Sequence, residues 1–102
     1  MVDERIIKAL ETRFWMTREE LCDELNVSDR NLRDKIADIN VAGGPYENVF
    51  VIGTSDMPGY RLARTVDDLK HYIRERTKRA EMIMLPVEKA ERILKEMEKW
   101  TS

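Results

Sequence analysis

The sequence predicts an α+β protein that is mostly α, with a folded domain in residues 1–65 and a helical extension in residues 66–102. Two observations predict this class. Apolar residues recur at intervals of three and four along most of the chain, which is the period of an amphipathic helix. Residues 46–64 instead hold two short strand-like runs separated by turn residues, which is typical of a β-hairpin.

The first helix is expected to begin after Asp3, whose carboxylate suits an N-cap, and to run to about Thr12. Its buried face would consist of Ile6, Ile7 and Leu10. The run Phe14-Trp15-Met16 is too brief for a helix, and a small strand is expected there.

Residues 17–40 predict two helices around a tight turn. Thr17 and Glu20 have the spacing of a capping box, which starts the second helix. Asn26 tolerates the left-handed conformation that ends a helix, and Ser28 is a favoured N-cap for the third. The buried positions of the pair are expected to be Leu21, Leu25, Val27, Leu32, Ile36 and Ile39.

The tail is predicted as two helices. Thr65 caps the first, and the second begins at Pro86, because proline suits the first turn of a helix and not its interior. The second helix would carry an apolar seam of roughly heptad spacing, made of Val87, Ala90, Leu94, Met97 and Trp100.

Composition excludes several classes of function. The 102 residues carry a net charge of −2, so any affinity for nucleic acid has to come from local patches. We expect a cytoplasmic protein, since no signal-like start and no membrane-crossing apolar run is found and Cys22 is the single cysteine. His71 has no metal-ligand cluster around it, and no nucleophile or phosphate-cradle motif is found. Enzyme activity, cofactors and a small-molecule ligand are therefore not expected.

Two segments resemble the winged helix-turn-helix family of DNA-binding proteins. Residues 17–28 (TREELCDELNVS) and 29–36 (DRNLRDKI) are similar to its helix-turn-helix, and Gly59-Tyr60-Arg61-Leu62 is similar to the end of the wing in the biotin-repressor branch. The likeness covers residues 1–65. The tail, including Tyr72-Ile73-Arg74 and Arg79-Ala80, resembles small winged-helix proteins of phages and prophages.

The resemblance implies that a recognition helix, residues 28–41, enters the major groove of double-stranded DNA. Position by position, it implies DNA contacts for Thr17, Ser28, Arg30, Asn31, Arg33, Asp34 and Lys35. The chain departs from the family at the hairpin tip, residues 54–58, which carries Asp56 and no lysine or arginine. Strong contact between the tip and phosphates is therefore not expected.

Two functions remain open on these residues. Arginine and asparagine side chains on one exposed face suit base edges and phosphates, which favours a sequence-specific DNA-binding protein: a transcription regulator or a phage-type DNA-metabolism accessory. The alternative is a winged-helix module that binds another protein and not DNA, with Arg30 and Arg33 merely neutralising Asp29 and Asp34. The basic residues between Lys70 and Arg79 are likewise either a phosphate-facing strip or a solvated helix face.

The tail seam also has two interpretations. We expect it to form the interface of a homodimer, which would present two recognition helices to DNA. The alternative is that the last helix folds back on the first helix or Trp15 of the same chain.

Overall fold

A computed structural model describes residues 1–54 and 58–101, and residues 55–57, the middle of the predicted hairpin tip, lie outside them. Four α-helices follow in chain order: α1 (Glu4–Thr12), α2 (Arg18–Leu25), α3 (Asp29–Val41) and α4 (Val66–Thr101). A short 3₁₀ turn at Gly44–Tyr46 and the strands β1 (Val51–Thr54) and β2 (Gly59–Leu62) lie between α3 and α4. The predicted class, α+β and mostly α, is confirmed. By its contacts the chain divides into two compact units, Met1–Arg64 and Thr65–Ser102.

Polar side chains start each helix where the sequence predicts it. The Asp3 carboxylate accepts from the Arg5 amide at 3.1 Å, and the Ser28 hydroxyl accepts from the Asn31 amide at 3.2 Å. Thr17 and Glu20 form a reciprocal capping box with both bonds at 3.0 Å. These bonds satisfy amides that have no partner inside the helix, so they fix where α1, α2 and α3 begin.

The turn between α2 and α3 depends on one backbone conformation. Asn26 has φ 55° and ψ 52°, the left-handed region that asparagine adopts more readily than most residues. Its amide bonds back to the carbonyls of the last turn of α2, and the Ser28 cap of α3 follows two residues later. The turn is therefore short, and α3 begins at once.

The two strands form an antiparallel pair in which Val51 faces Leu62 and Thr54 faces Gly59. Met16 adds a single bridge to the other edge of β2, with two backbone bonds to Tyr60 of 2.8 and 3.1 Å. The predicted strand at residues 14–16 is thus limited to one residue. A longer strand is not formed, because only Met16 of this run makes the paired bonds with β2.

One apolar cluster holds the first unit together, and it takes residues from α1, α2, α3, β1 and Met16. Its fully buried members include Leu10, Met16, Leu21, Leu32 and Ile39. Five of the six positions predicted to be buried in α2 and α3 are confirmed, and Val27 is half-buried against the cluster. Arg64, the last residue of this unit, contacts its first helix: the guanidinium donates to the Leu10 carbonyl at 3.0 Å and lies over the Phe14 ring.

The predicted division of the tail at Pro86 is wrong. A single helix, α4, runs from Val66 to Thr101 with Pro86 inside it. Proline removes one backbone donor, so the Met82 carbonyl loses its helical partner, at a cost of about 3 kcal/mol. Good helix formers on both sides, such as Ala80, Glu88 and Ala90, keep the remaining bonds of the ladder in place.

The start of α4 is as predicted. The Thr65 hydroxyl accepts from the Asp68 amide at 3.1 Å, and the Asp68 carboxylate accepts from the Thr65 amide at 3.2 Å. Among the described helices, none combines the length and the apolar character that crossing a bilayer requires.

Candidate nucleic-acid interface

The outward face of the first half of α3 is polar and exposed. Leu32, Ile36 and Ile39 turn one side of this helix into the core, and helical spacing puts Arg30 and Asp34 on the opposite side. Both are exposed, as are Asn31 and Arg33 on its flanks. Four of the sequence-predicted residues therefore share one accessible surface.

At the start of α3, the Asp29 carboxylate forms ion pairs with two arginines. Its Oδ2 lies 3.2 Å from Nη2 of Arg33, one turn further along α3. Its Oδ1, which is buried, lies 3.2 Å from Nε of Arg18 at the start of α2. The group carries a net charge of +1, and both arginine side chains remain mostly exposed, at 58% for Arg18 and 66% for Arg33. Phosphate or base oxygens can therefore still reach the two guanidinium groups.

Thr17 and Ser28 are cap residues, and their hydroxyl oxygens accept bonds from their own helices. The Ser28 hydroxyl keeps its proton as a donor, because accepting a bond does not use it. The Thr17 amide donates to the Glu20 carboxylate at 3.0 Å, and this bond, followed by that of the Thr17 hydroxyl, holds the pKa of the Glu20 carboxyl below its usual range. These two residues thus place the N-termini of α2 and α3, and Ser28 retains one donor.

The structure places Lys35 apart from the arginines. Its Nζ lies 3.2 Å from Oδ2 of Asp3, and its side chain is only 31% exposed. Asp3 also pairs with Arg5 at 2.7 Å. The bond with Arg5, followed by that with Lys35, holds the pKa of the Asp3 carboxyl well below its usual range. Lys35 therefore links α3 to the start of α1, beside the exposed face of α3.

A cleft of about 650 Å³ separates the start of α2 from the hairpin. Trp15, Arg18, Thr54, Gly59 and Tyr60 are among its lining residues. The Trp15 indole donates to the Thr54 hydroxyl at 3.1 Å, and this bond fixes one wall.

Tyr60 is half-buried, and burial is the main cause that raises the pKa of its phenol. The charge of Asp29 raises this pKa further, while the charges of Arg18 and Arg33 lower it. Tyr60 and Arg18 line the same cleft.

Sequence reasoning missed Arg18 and Tyr60 as members of this surface. Both lie inside the segments that resemble the winged helix-turn-helix family, and this resemblance was the signal by which they could have been found. Nothing in their spacing shows that Arg18 shares Asp29 with Arg33, because that contact joins residues from two different helices.

The predicted interface residues of the tail, Val87, Ala90, Leu94, Met97 and Trp100, are all exposed on α4. Leu94 is 56% exposed and Trp100 is 85% exposed. No group of three or more potential metal ligands lies together among residues 1–54 and 58–101.

The chain was compared with protein-family models, curated proteins and solved structures, and none of the three gave a match.

Proposed function

We propose that the first unit is a winged helix-turn-helix domain that binds double-stranded DNA in a sequence-specific manner. The proposed recognition helix spans residues 28–41, and the hairpin β1–β2 is the wing. The protein would act as a transcription regulator or as a phage-type accessory of DNA metabolism.

One observation carries the proposal: Arg30, Asn31 and Arg33 stand exposed on a helix that follows a tight turn and is anchored to the core by its other face. A helix of this kind can enter the major groove without exposing apolar residues of the core. Arginine can donate two bonds to a guanine edge, and asparagine can pair in the same way with adenine. Arg18 adds a second basic group close to the same surface.

The proposed assembly is a homodimer formed through the tail. Two copies would present two recognition helices and would double the phosphate contacts of a chain whose net charge is only −2. Sedimentation of the full chain at micromolar concentration tests this part separately from DNA binding.

A salt titration of the full chain against random duplex DNA tests the proposal. Binding that neutralises about four phosphates weakens about a hundredfold between 50 and 200 mM salt. Sequences selected from the random pool should bind more tightly than the pool itself. Absence of binding at the lowest salt would overturn the proposal.

Arg33→Ala is the matched variant, and it should cost about 1–3 kcal/mol on the selected sequence and less on the pool, as expected of a base contact. Arg92→Ala removes the same charge from an exposed position of α4 and serves as the control. A loss of equal size on every sequence would assign Arg33 to phosphate alone.

A second candidate is a winged-helix module that docks another protein. The shared use of Asp29 favours it, because the carboxylate neutralises part of the charge of Arg18 and Arg33. The same titration separates the two functions, since a protein-docking module has no affinity for duplex DNA that depends steeply on salt.

A further inference from the structure

The continuity of α4 through Pro86 extends its apolar seam over the whole helix. With Val66 as the first a position of a heptad, the a residues are Val66, Ile73, Ala80, Val87 and Leu94. The d residues are Leu69, Arg76, Ile83, Ala90 and Met97. Arg76 is the single charged member of this set. The seam from Leu69 to Met97 covers four heptads, or about 42 Å, which is the length at which a coiled coil becomes a credible partner surface.

The seam is accessible along its length. Ile73 is 60% exposed, Ile83 is 64% exposed and Leu94 is 56% exposed. Two further apolar residues, Met82 and Leu85, lie at c and f positions outside the seam. An exposed apolar strip of this extent marks an interface.

We propose that α4 pairs with α4 of a second copy in antiparallel orientation. This inference rests on the proposed self-association of the tail, and it adds the direction and the register of the pairing. The two arguments for it are the charges beside the seam and the position of Arg76.

Charges at the e positions change sign along the helix. Lys70 stands in the N-terminal half, and Glu91 and Glu98 stand in the C-terminal half. In an antiparallel pair, e positions face e positions of the other chain, so Lys70 of each copy meets Glu98 of the other. In a parallel pair, e positions face g positions, where Tyr72, Arg79, Pro86, Ile93 and Trp100 stand. No ion pair of opposite charge results from that arrangement.

The position of Arg76 within the seam also favours antiparallel pairing. A parallel pair in register would set the two Arg76 side chains directly against each other at one d layer, which is repulsive. An antiparallel pair sets Arg76 against Leu94 of the second copy, with Glu91 and Glu98 of that copy on the same side. The aliphatic stem can then cover Leu94 while the guanidinium reaches a carboxylate.

One register satisfies these contacts together. It places Ile83 opposite Val87 of the second copy, and Ala80 opposite Ala90, so that small residues meet small residues near the centre. Ile73 then faces Met97. On the g side, Tyr72 lies beside Trp100, which pairs the two aromatic side chains at each end of the interface.

Disulfide formation in the full chain tests orientation and register. The background carries Cys22→Ala, which removes the native thiol. Ala80→Cys and Ala90→Cys, oxidised separately, should give no covalent dimer, because each thiol lies about 15 Å along the axis from its own counterpart. An equimolar mixture should give a covalent heterodimer. Self-crosslinking of Ala80→Cys alone would show parallel pairing and overturn the proposal.

A charge exchange gives an independent readout. Lys70→Glu and Glu98→Lys should each raise the dimer dissociation constant about fivefold, and the double variant should restore it. If the double variant instead shows the two losses of dimer affinity added together, the antiparallel register is overturned. A full chain that sediments as a monomer would overturn the pairing itself, while DNA binding by that monomer would leave the proposed recognition surface standing.

Discussion

The indole of Trp15 lies directly against Gly59. A Cβ atom built on Gly59 would stand 2.6 Å from Nε1 of Trp15 and 2.5 Å from the carbonyl oxygen of Met16. The same indole donates to Thr54, so it spans from β2 to β1. Close approach at Gly59 is therefore what fastens the hairpin to the segment before α2.

Gly59→Ala should destabilise the first unit by about 1–3 kcal/mol, because the carbonyl of Met16 is backbone and cannot move aside without breaking the bridge to Tyr60. Gly53→Ala is the control in the paired strand, since its Cβ would meet Tyr60 at an ordinary 3.7 Å. Urea unfolding of both variants measures the difference. Equal stability of the two variants would contradict the close approach.

Asn40 ties the end of α3 to the first strand. Its side chain accepts from the Val51 amide at 2.8 Å and donates to the Val51 carbonyl at 3.0 Å. Asn40→Ala leaves both backbone groups without this partner, so it should cost about 1–3 kcal/mol of unfolding free energy. Asn31→Ala, on the exposed flank of the same helix, should change the stability by less than about 0.5 kcal/mol. Losses of similar size in both variants would mean that the two bonds of Asn40 contribute little.

Local chemistry made most of the fold predictable. The caps at Asp3, Thr17, Ser28 and Thr65 are side-chain bonds to amides two or three residues away, so sequence spacing alone indicates them. The buried face of α3 follows from its period for the same reason.

Contacts between distant residues were not predictable in this way. The bond from Asn40 to Val51 and the contact of Trp15 with Gly59 depend on how elements pack, and no periodic pattern encodes them. At Pro86 the prediction failed for the opposite reason, because a local rule was given too much weight. The local penalty of proline predicts a break, but the cost of one lost bond is smaller than the cost of ending and restarting a long helix.

Asp29→Asn should strengthen DNA binding under the proposed function. The substitution removes the negative charge that Arg18 and Arg33 share, and it leaves both guanidinium groups in place. The gain should be about 0.5–1 kcal/mol, the size of an exposed ion pair. Asp67→Asn removes the same charge from the first turn of α4 and is the matched control. Unchanged affinity in Asp29→Asn beside a functional wild type would place these arginines outside the DNA contact.

Asp3 should make stability depend on pH in the acidic range. Its pKa in the folded chain lies below the usual value of about 3.9, so the ionised carboxylate stabilises the fold at neutral pH. That contribution is present above pH 4 and is lost as the pH falls below it, because the unfolded chain takes up the proton first. Asp3→Asn keeps a capping oxygen and removes the charge that Arg5 and Lys35 share. Unfolding free energies should therefore differ between wild type and variant at pH 7 and converge towards pH 2, and a difference that stays constant would contradict the assignment.

Pro86→Ala should stabilise α4. Alanine restores the amide that can bond to the Met82 carbonyl, and it removes the clash of the proline ring with the preceding turn. The gain can reach about 3 kcal/mol, the difference between proline and alanine inside a helix. Far-UV circular dichroism during heating should show a higher midpoint for the helical signal than in the wild type. Glu88→Ala, two residues further along the same helix, introduces alanine without restoring a bond and should leave the midpoint unchanged. An unchanged midpoint in Pro86→Ala would contradict the stabilisation expected from the restored bond.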